Sequence, residues 1–158
     1  MAKDDTVQQI SDNRKARHDY FIEETYEAGI VLKGTEIKSV RRGHVNLRGS
    51  YARVQDGEVW LFDAHISPYE ESGAYFNHEP MRTRKLLLHR REITKLRIKL
   101  ATKGLTLVPL RIYMRGRRAK VELGLATGKK LYDKRASIAE RDSKRQIERV
   151  MKSRGRDE

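Results

Sequence analysis

The last thirty residues of the chain constrain its fold most, because they are too polar to form a core of their own. Residues 129–158 hold eleven Lys or Arg and six Asp or Glu, which gives this segment +5 of the chain's net charge of +13. Its few apolar side chains bury too little surface to offset the entropy of ordering so long a segment. The sequence therefore predicts a compact domain followed by a tail that does not fold alone.

The same tail is nonetheless rich in residues that favour a helix. It contains no Gly or Pro between Lys129 and Ser153, and most of its residues have good helix propensity. A basic segment that can become helical but lacks a core is suited to folding on a large polyanion, and RNA is the polyanion that fits best. We therefore expect a tail that is disordered when free and helical on its partner.

Positive charge is not confined to the tail. Residues 1–128 hold 24 basic and 16 acidic side chains, a net charge of +8, and the pI of the chain is about 10.1. This balance predicts salt-sensitive attraction to phosphate. A surface that is charged only for solubility is the alternative, but such surfaces normally lie closer to neutrality.

Composition also restricts the compartment and the chemistry. The chain has no cysteine, which excludes disulfides and thiolate sites and fits a reducing compartment. No apolar run approaches the roughly 20 residues that span a bilayer, and the N-terminal residues lack the apolar core of a signal peptide. We expect a cytoplasmic protein with no membrane partner.

Short alternating segments predict a mainly β fold. Residues 19–32 read as extended chain, and Asp56-Gly57 between alternating apolar residues indicates a hairpin. A second hairpin is expected around the basic turn at 115–118. Pro109, in its first strand, argues for an edge strand or a bulge. Short antiparallel strands in a domain of this size favour a small barrel with helices at its open ends.

Two helices, one loop and a flexible terminus complete the expected order. Thr35 is positioned to cap a short helix that ends at Gly43, and helical spacing within residues 86–103 predicts a second helix. Residues 67–84 lack periodicity and predict a loop whose aromatic side chains, Tyr69, Tyr75 and Phe76, fold back onto the body. Stacking of these rings on bases is the alternative, but packing is the more common use. Residues 1–12 are polar and expected to be flexible.

Motifs for catalysis or metal binding do not appear. The five histidines form no pair at metal-ligand spacing. The segment from Gly124 to Lys130 is one residue short of a phosphate-binding loop and has Lys where Ser or Thr is required. We therefore expect no metal and no cofactor, and a protein that is not an enzyme. A catalytic site scattered along the chain stays open as an alternative.

Four stretches in order along the chain carry a family resemblance: residues 13–20, 27–41, 82–88 and 128–135. Together they resemble the SsrA-binding protein (SmpB) family, the bacterial partner of transfer-messenger RNA (tmRNA). The likeness runs from about Asn13 to the end of the tail.

The resemblance implies an OB-fold barrel over residues 13–128, with flanking short helices, and a basic tail over residues 129–158. It implies an adaptor of trans-translation that binds the tRNA-like domain of tmRNA and enters the A site of a stalled ribosome. The tail would become helical in the empty mRNA channel, beside small-subunit rRNA. EF-Tu and GTP would be partners through alanylated tmRNA.

The resemblance also assigns candidate residues on the body. Positions that match the family's tmRNA-binding residues are Asn13, Lys15, Arg17, His18, Tyr20, Glu27, Lys33, Leu87 and Lys120. Basic members would meet phosphates, and His18 or Tyr20 would stack on an unpaired base. A core position for Tyr20 is an equal alternative. Because a carboxylate does not attract phosphate, Glu27 is expected to orient a base edge or a neighbouring arginine.

In the tail, a second set matches the family segment at the decoding centre: Gly128, Lys129, Lys130, Tyr132, Asp133, Lys134 and Arg135. Tyr132 stands where many relatives have His, and both rings stack on bases, although Tyr supplies no cationic form. Farther along, Arg141 and Arg145 recur at helical spacing and would track phosphates in the channel.

Three functions are thus distinguished. The first is the tmRNA-binding adaptor. The second is a structural rRNA-binding protein with an OB-fold, which would bind ribosomes without tmRNA and would not need a separable tail. The third is an RNA-modifying enzyme, which would require turnover or a bound cofactor.

Overall fold

The computed structural model describes residues 6–102, 104–129 and 131–154, with the side chains of residues 131–139 and 153–154 outside the description. The chain divides into two units, Met1–Gly128 and Lys129–Glu158. The first unit is mainly β, as predicted. Of the helices in the described ranges, none is both long enough and apolar enough to cross a membrane.

A closed ring of six antiparallel strands forms the body. The pairing order is β8-β4-β5-β7-β2-β9, and β9 pairs back onto β8 to close the ring. Strand β1 adds to the end of β8, and β3 pairs with β6 in a separate two-stranded sheet. The strands are β1 Val7–Asp12, β2 Tyr20–Ile30, β3 Val45–Asn46, β4 Tyr51–Gln55, β5 Glu58–Phe62, β6 His65–Ile66, β7 Arg84–Leu87, β8 Leu105–Arg115 and β9 Arg118–Gly128. The predicted OB-like barrel is confirmed.

Both predicted hairpins are present, and their turns explain them. Asp56 and Gly57 have φ values of 52° and 74°, the left-handed pair that matches the twist of two adjacent strands. The β8–β9 turn uses Gly116 at φ 61°. In β8 the register shifts between Pro109 and Arg111, so the predicted bulge is confirmed. The edge-strand alternative is wrong, because β8 pairs on both sides.

Within the described residues, four α-helices accompany the strands: α1 Arg14–Asp19, α2 Gly34–Arg41, α3 Arg90–Leu100 and α4 Leu131–Arg154. Helix α2 begins two residues earlier than predicted. Its N-cap is Lys33 rather than Thr35, since the Glu36 carboxylate accepts the Lys33 N–H at 2.8 Å. The helix ends before Gly43, at φ 79°, as expected.

The helix predicted within residues 86–103 starts later than its apolar pattern indicated. Leu86 lies in β7, is 1% exposed and pairs with both β5 and β2, while α3 begins at Arg90. A short apolar run such as Leu86 to Leu88 does not distinguish a strand from a helix. The missed strand is the one that joins β5 to β2 and so completes the ring.

The expectation of a flexible terminus over residues 1–12 is wrong for its second half. Val7–Asp12 form β1 and pair with Arg111 to Arg115 of β8. The strand is held by backbone hydrogen bonds at a sheet edge, and none of its side chains is fully buried: three are exposed and three half-buried. It therefore lacks the alternating apolar pattern by which a strand is recognised from sequence.

The long loop between β6 and β7 is confirmed, with one 3₁₀ turn at Glu70–Ser72. Its aromatic side chains do not all fold back: Tyr75 is 92% and Phe76 76% exposed, which corrects the prediction. The Asn77 side chain instead closes the loop, because its amide donates to the carbonyls of Tyr69, at 2.7 Å, and Gly73, at 3.1 Å. The loop is therefore held by hydrogen bonds from Asn77 rather than by burial of its aromatic side chains.

A buried ion pair ties α2 to β7 beside the apolar core. Glu36 and Arg84 are both fully buried, and their side chains hydrogen-bond to each other. Arg84 also donates to the carbonyls of Ala64, at 2.7 Å, and Pro80, at 3.0 Å. The second carboxylate oxygen of Glu36 lies 2.5 Å from Arg82. Each charged atom of the pair is therefore matched, as a buried charge requires.

Candidate nucleic-acid interface

The first groove of the body collects residues from three strands that are far apart in sequence. It has a volume of about 810 Å³, and its lining includes Glu27 of β2, Leu87 of β7 and Lys120 of β9. Arg117 and Arg118 of the β8–β9 turn also line it. Three of the residues predicted to bind tmRNA thus meet in one depression with a basic rim.

Glu27 organises the cations of this groove. Its Oε2 accepts the Tyr113 hydroxyl at 2.5 Å and lies 2.9 Å from Arg115 Nη2. Its Oε1 lies 4.0 Å from Lys120 Nζ. Of the two partners that the sequence left open, a base edge or a neighbouring arginine, the structure shows the arginine. Burial, together with the hydrogen bond to Glu27, raises the pKa of Tyr113 to about 12, so this hydroxyl remains a donor at neutral pH.

Leu87 extends into the first groove because Gly29 gives it room. The two residues are paired between β2 and β7, and Leu87 is 51% exposed. A Cβ at position 29 would lie 3.3 Å from the Cβ of Leu87. Because Gly29 has no Cβ, the Leu87 side chain fits beside it and presents an apolar contact at the groove.

The second groove gathers part of the N-terminal set. It has a volume of about 300 Å³, and Asn13, Lys15 and Tyr20 line it together with Tyr51 and Arg53. Lys15 is exposed. Tyr20 packs against the small cluster that contains Val108 and Leu110 while it also lines the groove. Both alternatives for Tyr20, core packing and surface contact, therefore describe part of its environment.

Asn13 is a supporting residue in this groove. It is 4% exposed, and its side chain caps α1 by accepting the Ala16 N–H at 3.2 Å. Its amide nitrogen donates to the carbonyls of Pro109, at 2.8 Å, and Leu47, at 3.2 Å. With these bonds the side chain fixes α1, the helix that carries Lys15, on the barrel.

Two further members of the N-terminal set are engaged by carboxylates. Arg17 Nη2 lies 3.3 Å from Asp12 Oδ1, and His18 Nδ1 lies 3.0 Å from Asp19 Oδ1. Neither residue lines either groove. Lys33 is exposed at the start of α2 and also lies outside both grooves.

The tail residues belong to the second unit, apart from Gly128, which ends β9 opposite Tyr20. Lys130 lies outside the described residues, and so do the side chains of Tyr132, Asp133, Lys134 and Arg135. Arg141 and Arg145 are exposed on α4, one turn apart. The predicted capacity of the tail to form a helix is confirmed by α4, and its disorder in the free protein stays a prediction.

Sequence reasoning missed several basic and aromatic residues at the grooves. The sequence predicts a basic turn at residues 115–118 but does not indicate that Arg117 and Arg118 line the first groove, or that Arg115 contacts Glu27 beside it. Tyr51 and Arg53 carry no motif, although the register of the Asp56-Gly57 hairpin would have placed both on one face. In the parts of the chain that the structure describes, no three His, Cys, Asp or Glu side chains are grouped to hold a metal ion.

Comparisons with known proteins point in one direction. A family model described as SmpB protein matches residues 10–153. The chain is 66% identical to the SsrA-binding protein of Roseiflexus sp. (strain RS-1), over 99% of both chains. It is 69% identical to the SsrA-binding protein of Chloroflexus aggregans (strain MD-66 / DSM 9485), over 94% of both.

A solved structure is also similar. It is described as "tmRNA-SmpB: a journey to the center of the bacterial ribosome", and its matching chain is 59% identical to this one. The match has a TM-score of 0.64 and covers 77% of this chain and 85% of the other.

Proposed function

The chain belongs to the SmpB family, and we therefore propose that it is an RNA-binding adaptor of trans-translation. The body binds the tRNA-like domain of tmRNA and brings it to the A site of a ribosome stalled without a stop codon. The adaptor is not an enzyme: it acts by binding and positioning. The known relatives are named for binding SsrA RNA, and the matching solved structure concerns tmRNA and the ribosome.

One observation supports this function most directly: Glu27, Leu87 and Lys120 converge in the first groove. The groove offers cations for phosphate, in Lys120, Arg117 and Arg118, and an apolar contact in Leu87. Glu27 contacts Arg115 and lies 4.0 Å from Lys120, so part of the positive charge at this groove is ordered before RNA arrives. Ordered cations lose less entropy on binding than free ones.

We assign the tail a separate task. Residues 129–158 enter the empty mRNA channel, where the segment from Gly128 to Arg135 contacts small-subunit rRNA at the decoding centre. Arg141 and Arg145, exposed on α4 at helical spacing, track phosphates along the channel. The division of the chain at Gly128 supports this assignment.

The remaining partners follow from the same role. Alanylated tmRNA is delivered with EF-Tu and GTP, so EF-Tu meets this protein through the RNA in one complex. Because the protein acts on ribosomes, it functions in the cytoplasm. No cofactor, metal or membrane enters this function.

A competition experiment tests the proposal. The tRNA-like domain of tmRNA, an elongator tRNA and an rRNA fragment are compared as ligands of the full chain. The adaptor prefers the tRNA-like domain, whereas equal or tighter binding of rRNA favours a structural ribosomal protein instead.

The variant Lys120→Ala should weaken binding of the tRNA-like domain and reduce the slope of log affinity against log salt concentration by about 1. Lys95→Ala, exposed on α3 outside both grooves, is the matched control and should behave like the unchanged protein.

A further inference from the structure

The outer face of the β4–β5 hairpin carries aromatic and basic side chains in adjacent rows. Strand register places Tyr51 opposite Phe62 and Arg53 opposite Trp60, and Trp60 lies opposite Lys85 on β7. Because side chains alternate along a strand, these five share the face that points away from the core. Their neighbours on the inner face are buried: Ala52, Val59, Leu61, Arg84 and Leu86.

Two of these rings and one guanidinium form a stack. The centroids of Tyr51 and Phe62 are 5.3 Å apart, with an angle of 13° between the planes. The Arg53 guanidinium lies 5.1 Å from the Tyr51 centroid and 6.0 Å from that of Phe62. Both rings are partly exposed. Parallel rings beside a cation form a surface on which a flat, electron-rich base stacks while its phosphate meets the charge.

The position of this face links the two grooves. Tyr51 and Arg53 line the second groove. On β7 the next outward residue after Lys85 is Leu87, which lines the first groove. Lys85 pairs with Glu58 at 2.8 Å, so Arg53 supplies most of the uncompensated charge. An RNA strand that occupies both grooves by this route must cross the face.

A second exposed aromatic pair shows what this arrangement adds. Tyr75 and Phe76 are edge-to-face, with centroids 5.1 Å apart and an interplanar angle of 79°. Their loop carries the carboxylates of Glu70, Glu71 and Glu79, which repel phosphate. Exposure alone therefore does not make a stacking surface. Parallel geometry and an adjacent arginine are found together at Tyr51 and Phe62.

We propose that the outer face of β4, β5 and β7 is a stacking platform for unpaired nucleotides of the RNA that the body binds. The platform consists of Tyr51, Arg53, Trp60, Phe62 and Lys85. This inference rests on the proposed RNA-binding function and extends it by naming a route between the grooves. The route takes single-stranded chain, since a base reaches a ring only when it is unpaired.

Trp60 allows the platform to be tested directly, because it is the only tryptophan in the chain. A short oligouridylate added to the full protein should quench its fluorescence, and a short RNA duplex should not. The double variant Tyr51→Leu/Phe62→Leu removes the stacked ring pair and should bind oligouridylate about tenfold more weakly, since the loss of one stacked base costs about that factor. Tyr51→Phe keeps the ring and should bind normally, with full quenching.

The control is Tyr75→Leu/Phe76→Leu, which removes an exposed aromatic pair from the loop and should leave quenching and affinity unchanged. Urea unfolding of each variant shows whether the barrel is intact. An unquenched Trp60 in the unchanged protein, or a folded platform variant that binds oligouridylate normally, overturns the platform. The proposed function fails separately, as a loss of preference for the tRNA-like domain over tRNA in the unchanged protein.

Discussion

At the scale of single residues, the ion pair between Glu36 and Arg84 shows what sequence reasoning does not see. The two residues are 48 positions apart, and each stands in a basic segment that resembles a solvated surface. Only the closed ring brings Arg84 beneath α2, where both side chains are fully buried. Glu27 differs in part: because a carboxylate does not attract phosphate, an arginine was one of its two expected partners, and the structure shows Arg115 there.

Replacing Glu36 by Gln should strongly destabilise the barrel. Burial alone would raise the pKa of Glu36, but hydrogen bonds from Arg82, the Lys33 N–H and Arg84 hold it below the usual value. Removing the carboxylate leaves Arg84 buried without its counter-charge, which costs about 3–5 kcal/mol. Urea unfolding at neutral pH measures the loss. Glu58→Gln, which breaks an exposed pair with Lys85, is the control and should cost at most about 1 kcal/mol.

The direction of the Glu36 shift also fixes the pH dependence. A carboxyl whose folded-state pKa is depressed stabilises fully above its unfolded value of about 4.3. That stability is lost as the pH falls through the lower folded-state pKa. The difference in unfolding free energy between the unchanged protein and Glu36→Gln should therefore shrink in acid. A difference that stays constant across this window would contradict a depressed pKa.

Tyr113 should give the opposite pH signature. Burial and the hydrogen bond to Glu27 raise the pKa of Tyr113 to about 12. The stabilisation of the folded state by this hydroxyl is therefore complete below the pKa of about 10 that Tyr has in the unfolded chain. It is lost as the pH rises towards 12. Tyr113→Phe should cost about 1–2 kcal/mol at neutral pH, with a smaller difference in alkali. Unfolding of Tyr75→Phe, at a 92% exposed position, should match the unchanged protein throughout; an equal alkaline effect there would refute the assignment.

At the scale of elements, the sequence predicted those with a local signal. The Asp56-Gly57 turn and the Arg115–Arg118 turn identified two hairpins because each turn needs left-handed backbone at fixed positions. Strand β7 was merged with α3, since a short apolar run has no distinctive period. Strand β1 was missed because none of its side chains is fully buried and its partner, β8, lies about a hundred residues away. A strand that forms only by pairing with a strand distant in sequence has no local sequence pattern that would predict it.

The tail is the element whose removal should separate two activities. A stop codon after Gly128 keeps β9 complete and ends the chain at the boundary between the two units. Binding to the tRNA-like domain should remain within about twofold, because both grooves lie in the body. Tagging of nascent chains on stalled ribosomes should be abolished. Loss of tmRNA binding in the truncated, folded body would contradict this division of labour.

The isolated tail should also reveal how much of its helix depends on a partner. Arg141 and Arg145 carry like charges one turn apart, which disfavours a free helix, although Glu140 and Lys144 pair at 3.8 Å. Circular dichroism of a peptide of residues 129–158 should show little helix in buffer. A strongly helical spectrum without any partner would refute folding on the ribosome.

At the scale of the whole molecule, charge and shape act together. The chain carries +13, yet several of its carboxylates hold cations in place: Glu27 engages Arg115 and Lys120, and Glu122 engages Arg111 at 2.7 Å. Acidic residues of a basic protein therefore serve as positioning groups. The net charge was evident from composition, but its arrangement into two grooves depends on the closure of the ring.

Salt dependence measures how much of this charge meets phosphate. We expect the body to neutralise about five phosphates of the tRNA-like domain. A plot of log affinity against log salt concentration should then have a slope of about −4 to −5, since each contact with duplex DNA contributes roughly −0.9. Truncation after Gly128 should leave this slope unchanged, because the tail does not take part in the complex. On vacant ribosomes the full chain should show a steeper slope than the truncated body, since the tail adds eleven basic residues that would meet rRNA at the decoding centre and in the channel. An affinity of the body that does not change with salt concentration would exclude electrostatic docking. A steeper slope for the full chain than for the truncated body on the tRNA-like domain would show that the tail contacts tmRNA instead.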